Sequence, residues 1–289
     1  MGLNVLVTGG AGYIGSHACK ALDAAGHFPV AYDNLIYGHR WAVKWGPLVL
    51  GDLDEAELLR GTLSKYSIDA VMHFAAHDRA GQSIGAPGRC FRNNVVNSLG
   101  LLDAMVETGV SSIVFSSSCA TYGLPLDGPI AEEHPQRPVN PYGESKLFIE
   151  RALQWYIEAH GIRYAVLRYF NAAGADLDAE IGEVHDLETH LIPQAIESAL
   201  GQNRVVPVYG TDYPTPDGSP VRDYVHVVDL ADAHVSAAEF LANGGNSFAV
   251  NLGTGQGHSV LEVINTVEQI SELHVRVVPT GRRAGDAPA

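Results

Sequence analysis

Cysteine, methionine and tryptophan occur only three times each in the 289 residues. The three cysteines, Cys19, Cys90 and Cys119, are odd in number and lack metal-ligand spacing, so they read as plain reduced thiols and no metal is expected. Long apolar stretches are missing too: no uncharged run of about 18 residues occurs. The opening MGLNVLVTGG has no basic stretch leading to a small-residue cleavage site. Neither a membrane span nor a secretory signal is therefore expected, and the expected location is the cytoplasm. Basic residues are scarce, 18 Lys and Arg against 33 Asp and Glu, for a formal charge of -15. That balance argues against nucleic acid as a partner, because phosphate neutralisation needs clustered Lys and Arg. An anionic ligand has to be held locally, by helix N-termini, backbone amides and single arginines.

What is present is ordinary for a globular chain, 46% hydrophobic and 18% charged, and long enough for one large or two medium domains. Short β-branched runs alternate with longer amphipathic stretches through the first 170 residues, the pattern of βαβ units around a parallel sheet. Strands are predicted near 3–8, 28–33, 47–50, 69–74, 112–117 and 163–169, and helices near 13–25, 54–65, 89–108 and 141–160. After Asn171 the character changes. GTDYPTPDGSPVRDY at 210–224 is too rich in Gly, Pro and Asp for regular structure. The expected fold class is α/β: a doubly wound parallel Rossmann sheet with a smaller, mostly irregular α/β substrate domain. Residues 1–170 would form the first domain and 171–289 the second, with a segment at about 224–246, helical over 229–243, packing back on the first.

The segment VLVTGGAGYIGSHACKAL starts as a buried strand, turns at glycines and enters a helix. Gly9, Gly12 and Gly15 have G-x-x-G-x-x-G spacing, which permits a sharp turn and close approach of a pyrophosphate to the amides at the helix N-terminus. A second strand, FPVAYDN, ends in Asp33, near the distance expected for a ribose-binding acid. A carboxylate there can accept both adenosine ribose hydroxyls and would repel a 2′-phosphate, so the cofactor expected is NAD and not NADP. Ligands of open α/β sheets bind beyond the carboxyl edge, so the other strand ends join the same crevice. These are Asp52-Leu53, Phe74-Ala75-Ala76 and Ser116 to Ser118.

Tyr142 and Lys146 lie four residues apart in NPYGESK, where Asn140 can cap a helix and Pro141 suits its first position. That spacing puts both side chains on one helix face. An ordinary tyrosine ionises near pH 10. A neighbouring ammonium, a helix N-terminus and a positively charged nicotinamide each favour the phenolate. Ser118 is the hydroxyl expected beside Tyr142, and Ser116 and Ser117 read as strand-end hydrogen-bonders.

Taken together, TGGAGYIGSH, HFAA, SSSCATYG, NPYGESK, RYFNAAGA, VRDYVHVVDLADAH and RRAGD resemble the extended short-chain dehydrogenases. Among these the likeness is to the bacterial UDP-glucose 4-epimerase family, and it runs from residue 3 to the last residue. The resemblance implies NAD contacts at Tyr13, Ile14, Asp33, Asn34, Leu35, Gly38, Asp52, Leu53, Phe74, Ala75, Ala76, Asn93 and Lys146, with Tyr169 and Phe170 of RYFN beside them. It makes Tyr142 the catalytic base and Ser118 its partner. It also implies a nucleotide-sugar site at Asn171, His190, Leu191, Val208, Tyr209, Arg222, Arg283 and Asp286, where the arginines offer forked, charge-assisted donors to a diphosphate. His77-Asp78-Arg79 departs from the family after FAA. The likeness stops at Ala289, before a position that closes the sugar pocket in the family, so weak sugar binding is expected of Arg283 and Asp286 at a frayed terminus.

The implied reaction is transient oxidation of a UDP-sugar at C4 and return of the hydride to the opposite face, with Tyr142 taking and returning the 4-hydroxyl proton. A 4,6-dehydratase would need an Asp-Glu pair where Cys119 and Ala120 stand. UDP-xylose, UDP-glucuronate and N-acetylated UDP-sugars remain as alternative substrates, and a catalytically weak NAD-binding protein of the same fold is a further alternative. The resemblance also implies a homodimer, formed by the helices near 89–108 and 141–160, with Leu101, Leu102, Met105, Leu147, Leu153 and Trp155 as candidates for the interface.

Overall fold

Val5, Leu6 and Val7 are all fully buried, which for a strand means that both faces are covered. Asn4–Thr8 (β1) is accordingly an inner strand of a seven-stranded sheet. A computed structural model describes this arrangement for residues 2–77, 80–125, 128–185, 187–202, 204–283 and 288, apart from the side chains of 80–82. Asp78 and Arg79, the family departure, and Asp286, a site candidate, lie outside the described residues.

The chain runs β1, Tyr13–Ala24 (α1), Phe28–Asp33 (β2), Leu48–Leu50 (β3), Ala56–Lys65 (α2), Ala70–His73 (β4), Ala80–Gly85 (α3) and Pro87–Phe91 (α4). A π-helical turn at Arg92–Val96 leads into Asn97–Thr108 (α5), Ser112–Ser118 (β5), Pro141–His160 (α6) and Arg163–Tyr169 (β6). The single helix expected over 89–108 is thus a helical run with a wide turn in it, and Asn93 and Asn94 sit in that turn. The remaining elements are Asn171–Ala173 (β7), Leu191–Ala199 (α7), Val206–Tyr209 (β8), Val221–His226 (β9), Val227–Ala242 (α8), Phe248–Leu252 (β10), Gly257–Ser259 (β11), Val260–Ser271 (α9) and Val277–Thr280 (β12).

The large sheet has the order β10-β6-β5-β4-β1-β2-β3 with every pair parallel. One face carries α2, α5 and α6 over a core that includes Leu59, Leu101, Met105, Phe115 and Leu153. The other carries α1 and α8, which meet over Ala18, Leu22, Val114, Leu167 and Leu241. This is the doubly wound Rossmann arrangement. The sequence reading missed β10, and it missed β9 inside a stretch taken as irregular, where Arg222 and Asp223 break the apolar alternation. The later part of the chain adds a three-stranded sheet, β11-β9-β7, and a β12-β8 pair packed with α7 and α9 around Ala195, Val206, Val208 and Ile264.

The proposed interface residues need correction. Leu101, Leu102, Met105, Leu147 and Leu153 are buried within this chain and cannot meet a partner. Trp155 alone of the six is exposed, at 69%.

Histidines are placed under the crevice as uncharged rings. His73 lies between Thr8 Oγ1 and Ser98 Oγ, each 2.7 Å away. Burial, then the Lys146 charge, push it down to about 3. Burial likewise pushes His234 down to about 4. An unfolded imidazole takes its proton near pH 6.5, so between that pH and the folded values the unfolded chain binds more protons and stability falls as the pH is lowered. Urea unfolding midpoints should therefore drop as the pH is lowered from 7 to 5. The slope should be shallower in His73→Asn, and an unchanged slope would remove this ring from the account.

Candidate functional site

The β1–α1 turn is closed by backbone touching backbone. A Cβ on Gly15 would stand 2.1 Å from the Gly9 carbonyl oxygen, and Gly9 itself has φ +72°. Gly12 is the N-cap of α1 and offers no side-chain cap, so the first-turn amides at Tyr13 and Ile14 face the crevice. An uncapped helix N-terminus reached over glycine suits a pyrophosphate. At the tip of β2, Asp33 accepts the amide protons of Ala11 (3.0 Å) and Leu35 (2.8 Å). Burial holds its carboxyl above the usual range, against the lowering by these two bonds and by His39. Two oxygens retain acceptor sites for a diol. These features fit NAD.

The crevice runs along the carboxyl ends of β1, β2, β4, β5 and β6. Of the residues expected to hold cofactor, Gly9, Gly12, Tyr13, Ile14, Gly15, Asp33, Asn34, Asp52, Leu53, Phe74, Ala75, Ala76, Asn93, Ser116, Tyr142, Lys146, Tyr169 and Phe170 line it. Leu35 and Gly38 stand behind Asp33 and do not. A Cβ on Gly38 would meet Asp33 Oδ1 at 2.9 Å, so this glycine lets the loop close on the acid.

Asn140 caps α6 by accepting the Gly143 amide proton (2.8 Å), with Pro141 in the first turn. The helix then presents Tyr142 and Lys146 to the crevice. Lys146 donates to the Ser116 carbonyl (2.7 Å), and its ammonium lies 5.8 Å from the Tyr142 ring centre. Ser118 lines the same wall, its hydroxyl accepting the Ala120 amide proton at 3.2 Å. Ser116 bonds Tyr169 hydroxyl to hydroxyl. Cys19 and Cys119 are free thiols whose burial pushes them up to about 12 and about 11, which leaves both unreactive.

From the later part of the chain, Asn171 and His190 line the crevice, together with Ala172, Glu183 and His185. His190 pairs with Glu183 (2.8 Å), which His185 also approaches (3.2 Å). Sequence reasoning missed Glu183 and His185, which come from a segment with no regular structure and hence no periodicity to read. It also missed Tyr32 and Gly51. The other nucleotide-sugar candidates among the described residues do not line it. Leu191 packs toward the core of the later part, and Val208 is buried in it, so a pocket contact from the Val208 side chain is excluded. Tyr209 stacks under the Arg283 guanidinium at 4.4 Å. Arg222 donates to its neighbour's carbonyl on Val221 (2.6 Å).

This crevice defines a class. Residues 5–253 match the NAD dependent epimerase/dehydratase family, and the chain belongs to it. Among individual relatives, it is 49% identical over 98% of its length to a UDP-glucose 4-epimerase of Rhizobium meliloti (strain 1021), covering 87% of that protein. The fold matches the crystal structure of UDP-glucose 4-epimerase from Brucella ovis in complex with NAD, with TM-score 0.97, 52% identity, and 99% of this chain against 88% of that one. The Bifidobacterium longum enzyme in complex with NAD+ and UDP follows at TM-score 0.93 and 37% identity, over 99% and 88% of the two chains.

Cofactor choice can be read directly. The cofactor released from purified protein and identified by mass spectrometry should be NAD, and NADP as the main species would overturn the role of Asp33. Asp33→Ala should weaken NAD by about 1.5–3 kcal/mol, the worth of hydrogen bonds to a charged group. Because the carboxylate form accepts the hydroxyls, wild-type affinity should fall as acid protonates it, whereas Asp33→Asn should be flat over the same pH range.

Proposed function

We propose that this chain interconverts UDP-glucose and UDP-galactose as an NAD-dependent 4-epimerase. The observation that carries the reading is the convergence of Tyr142, Lys146 and Ser118 on the same crevice as the glycine turn and Asp33. Family membership and the relatives above support it.

NAD, when bound, would supply a reversible hydride store for oxidation at sugar C4. The chain's own groups do the rest. Tyr142 takes the 4-hydroxyl proton and returns it, and Ser118 holds that oxygen in place. Lys146, fixed on the Ser116 carbonyl, provides a positive charge beside the phenol ring. Gly9, Gly12, Tyr13, Ile14 and Gly15 take the pyrophosphate. Asp33, with Asn34, takes the adenosine ribose, and Phe74 to Ala76, Asn93, Tyr169 and Phe170 wall the cofactor. Asn171 and His190 face the nucleotide-sugar, with Arg222 and Arg283 as diphosphate donors from outside the described lining. Residues 1–170 with 224–246 would serve the cofactor and the rest of 171–289 the substrate.

The same proposal places the enzyme in galactose metabolism and in the cytoplasm. None of the helices among the described residues is long and apolar enough to cross a membrane. A homodimer is part of the reading as well. The exposed Val96, Phe148 and Trp155 replace the buried leucines as its candidate contacts.

The test is turnover of UDP-galactose by purified protein without added NAD, beside UDP-xylose, UDP-glucuronate and UDP-N-acetylglucosamine. UDP-glucose should appear as product. Preference for another UDP-sugar would reassign the substrate, and no turnover of any would remove the enzyme reading. Tyr142→Phe should keep NAD bound yet lose about 10²- to 10⁴-fold in kcat, the usual contribution of a general base. Lys146→Ala should damage both binding and turnover.

A further inference from the structure

A third side chain shares the Tyr142–Lys146 face of α6 and takes no part in the proton chemistry. Glu150 lies one turn beyond Lys146, with its side chain 5% exposed. Its carboxylate meets Arg168 of β6, itself 9% exposed, through Nε at 3.0 and 3.1 Å and Nη2 at 2.7 Å. Ser117 of β5 donates to the same carboxylate (2.5 Å), and Gln136, from the segment before α6, donates at 2.9 Å. The remaining Arg168 nitrogen donates to the Tyr122 hydroxyl (2.9 Å), which donates in turn to Asn251 of β10 (2.7 Å).

We propose that the Glu150–Arg168 pair is a positioning device that fixes the axial register and roll of α6 on β5 and β6, and thereby places Tyr142 and Lys146. This inference rests on the catalytic reading above. The same short run of β5 meets α6 at two heights: the Ser116 carbonyl under Lys146, and the Ser117 hydroxyl under Glu150. With a rise of about 1.5 Å per residue, the lower contact lies about 6 Å along the axis from Lys146 and about 12 Å from Tyr142. The rest of the α6 contact with the sheet, through Ile149 and Leu153, is apolar. Such burial is non-directional and tolerates small slides. A carboxylate in a guanidinium fork does not.

The energetics point the same way. A buried ion pair spends most of its mutual attraction on desolvation, and apolar replacements of similar volume are often neutral or stabilising. Geometry is what this pair adds.

The decisive comparison is wild type against Ser117→Ala/Glu150→Met/Arg168→Met, which removes the ion pair and its Ser117 donor without stranding a charge. Glu150→Gln, which keeps the shape and loses the charge, is measured alongside. The triple variant should melt at or above the wild-type temperature and retain bound NAD. Its kcat should fall about 10- to 100-fold, the scale that a misplacement of about an ångström can cause, with KM for UDP-galactose within about threefold. Amide exchange at Gly143 to Lys146 should rise in both variants, and Glu150→Gln should lose kcat in the same direction. Either variant, folded and NAD-loaded, with wild-type kcat and wild-type exchange would overturn the proposal. If the triple variant does not fold, Glu150→Gln decides on the same criteria. A wild type without turnover would sink the functional reading, and the exchange measurement would then decide the positioning claim by itself.

Discussion

Everything in the crevice depends on how closely two pieces of backbone approach each other between β1 and α1. The Gly9 carbonyl occupies the space that any side chain at position 15 would need, and Gly9 would press a Cβ to 2.9 Å from the Ala75 amide nitrogen. The turn is therefore tight against both the helix it starts and the loop that follows β4. That contact leaves the first amides of α1 turned toward the carboxyl edge of the sheet, and the ends of β2, β4, β5 and β6 are arrayed around them. At the glycine turn the wall of the crevice is main chain.

Beneath this edge the two apolar layers are crossed by buried polar seams. One runs from Thr8 through His73 to Ser98, which donates to the Asn94 carbonyl. Asn94 bonds the backbone of His77 in both directions and donates to Ser145, which donates to the Tyr142 carbonyl. The π-helical turn puts Asn93 in the crevice and Asn94 in this seam. The second seam is the cluster around Glu150. Both reach α6 from beside or below, and in a low-dielectric interior a satisfied polar network favours one arrangement over its neighbours. The apolar layers hold the helix on the sheet, and the seams choose where it rests.

Much of this was legible because it is local. The glycine turn, Asp33 and the Asn140-Pro141 start of α6 each follow from a few adjacent residues whose chemistry has one good use. Lys146 four residues after Tyr142 belongs with them, since helical spacing alone sets that pair on one face. Legibility failed where the deciding partner is distant. Glu183 and His185 reach the crevice only because the loop they sit on is tied down by Lys20 and by the bond from His39 to the Val184 carbonyl. Arg222 and Asp223 hid a strand, and the partners of Asp223 are distant in sequence, since it accepts from Thr254 and Gly255 beyond β10. Periodicity marked Leu101 and Leu153 as apolar-face residues but could not say whether the covering surface is the chain's own sheet or another copy.

The order of strands in the large sheet also sets a timetable for the growing chain. β6 ends at Tyr169, yet its outer neighbour β10 begins only at Phe248. At about 5–20 residues per second, synthesis of the intervening stretch takes on the order of ten seconds. Over that interval β6 has β5 on one side and an open row of amides and carbonyls on the other, with the α8 that covers this flank also still to come. An unpaired inner-type strand is a template for strands of other chains. Aggregation during synthesis should therefore begin at Arg163–Tyr169, and its extent should follow the speed of translation through residues 170–252 more than the stability of the finished fold.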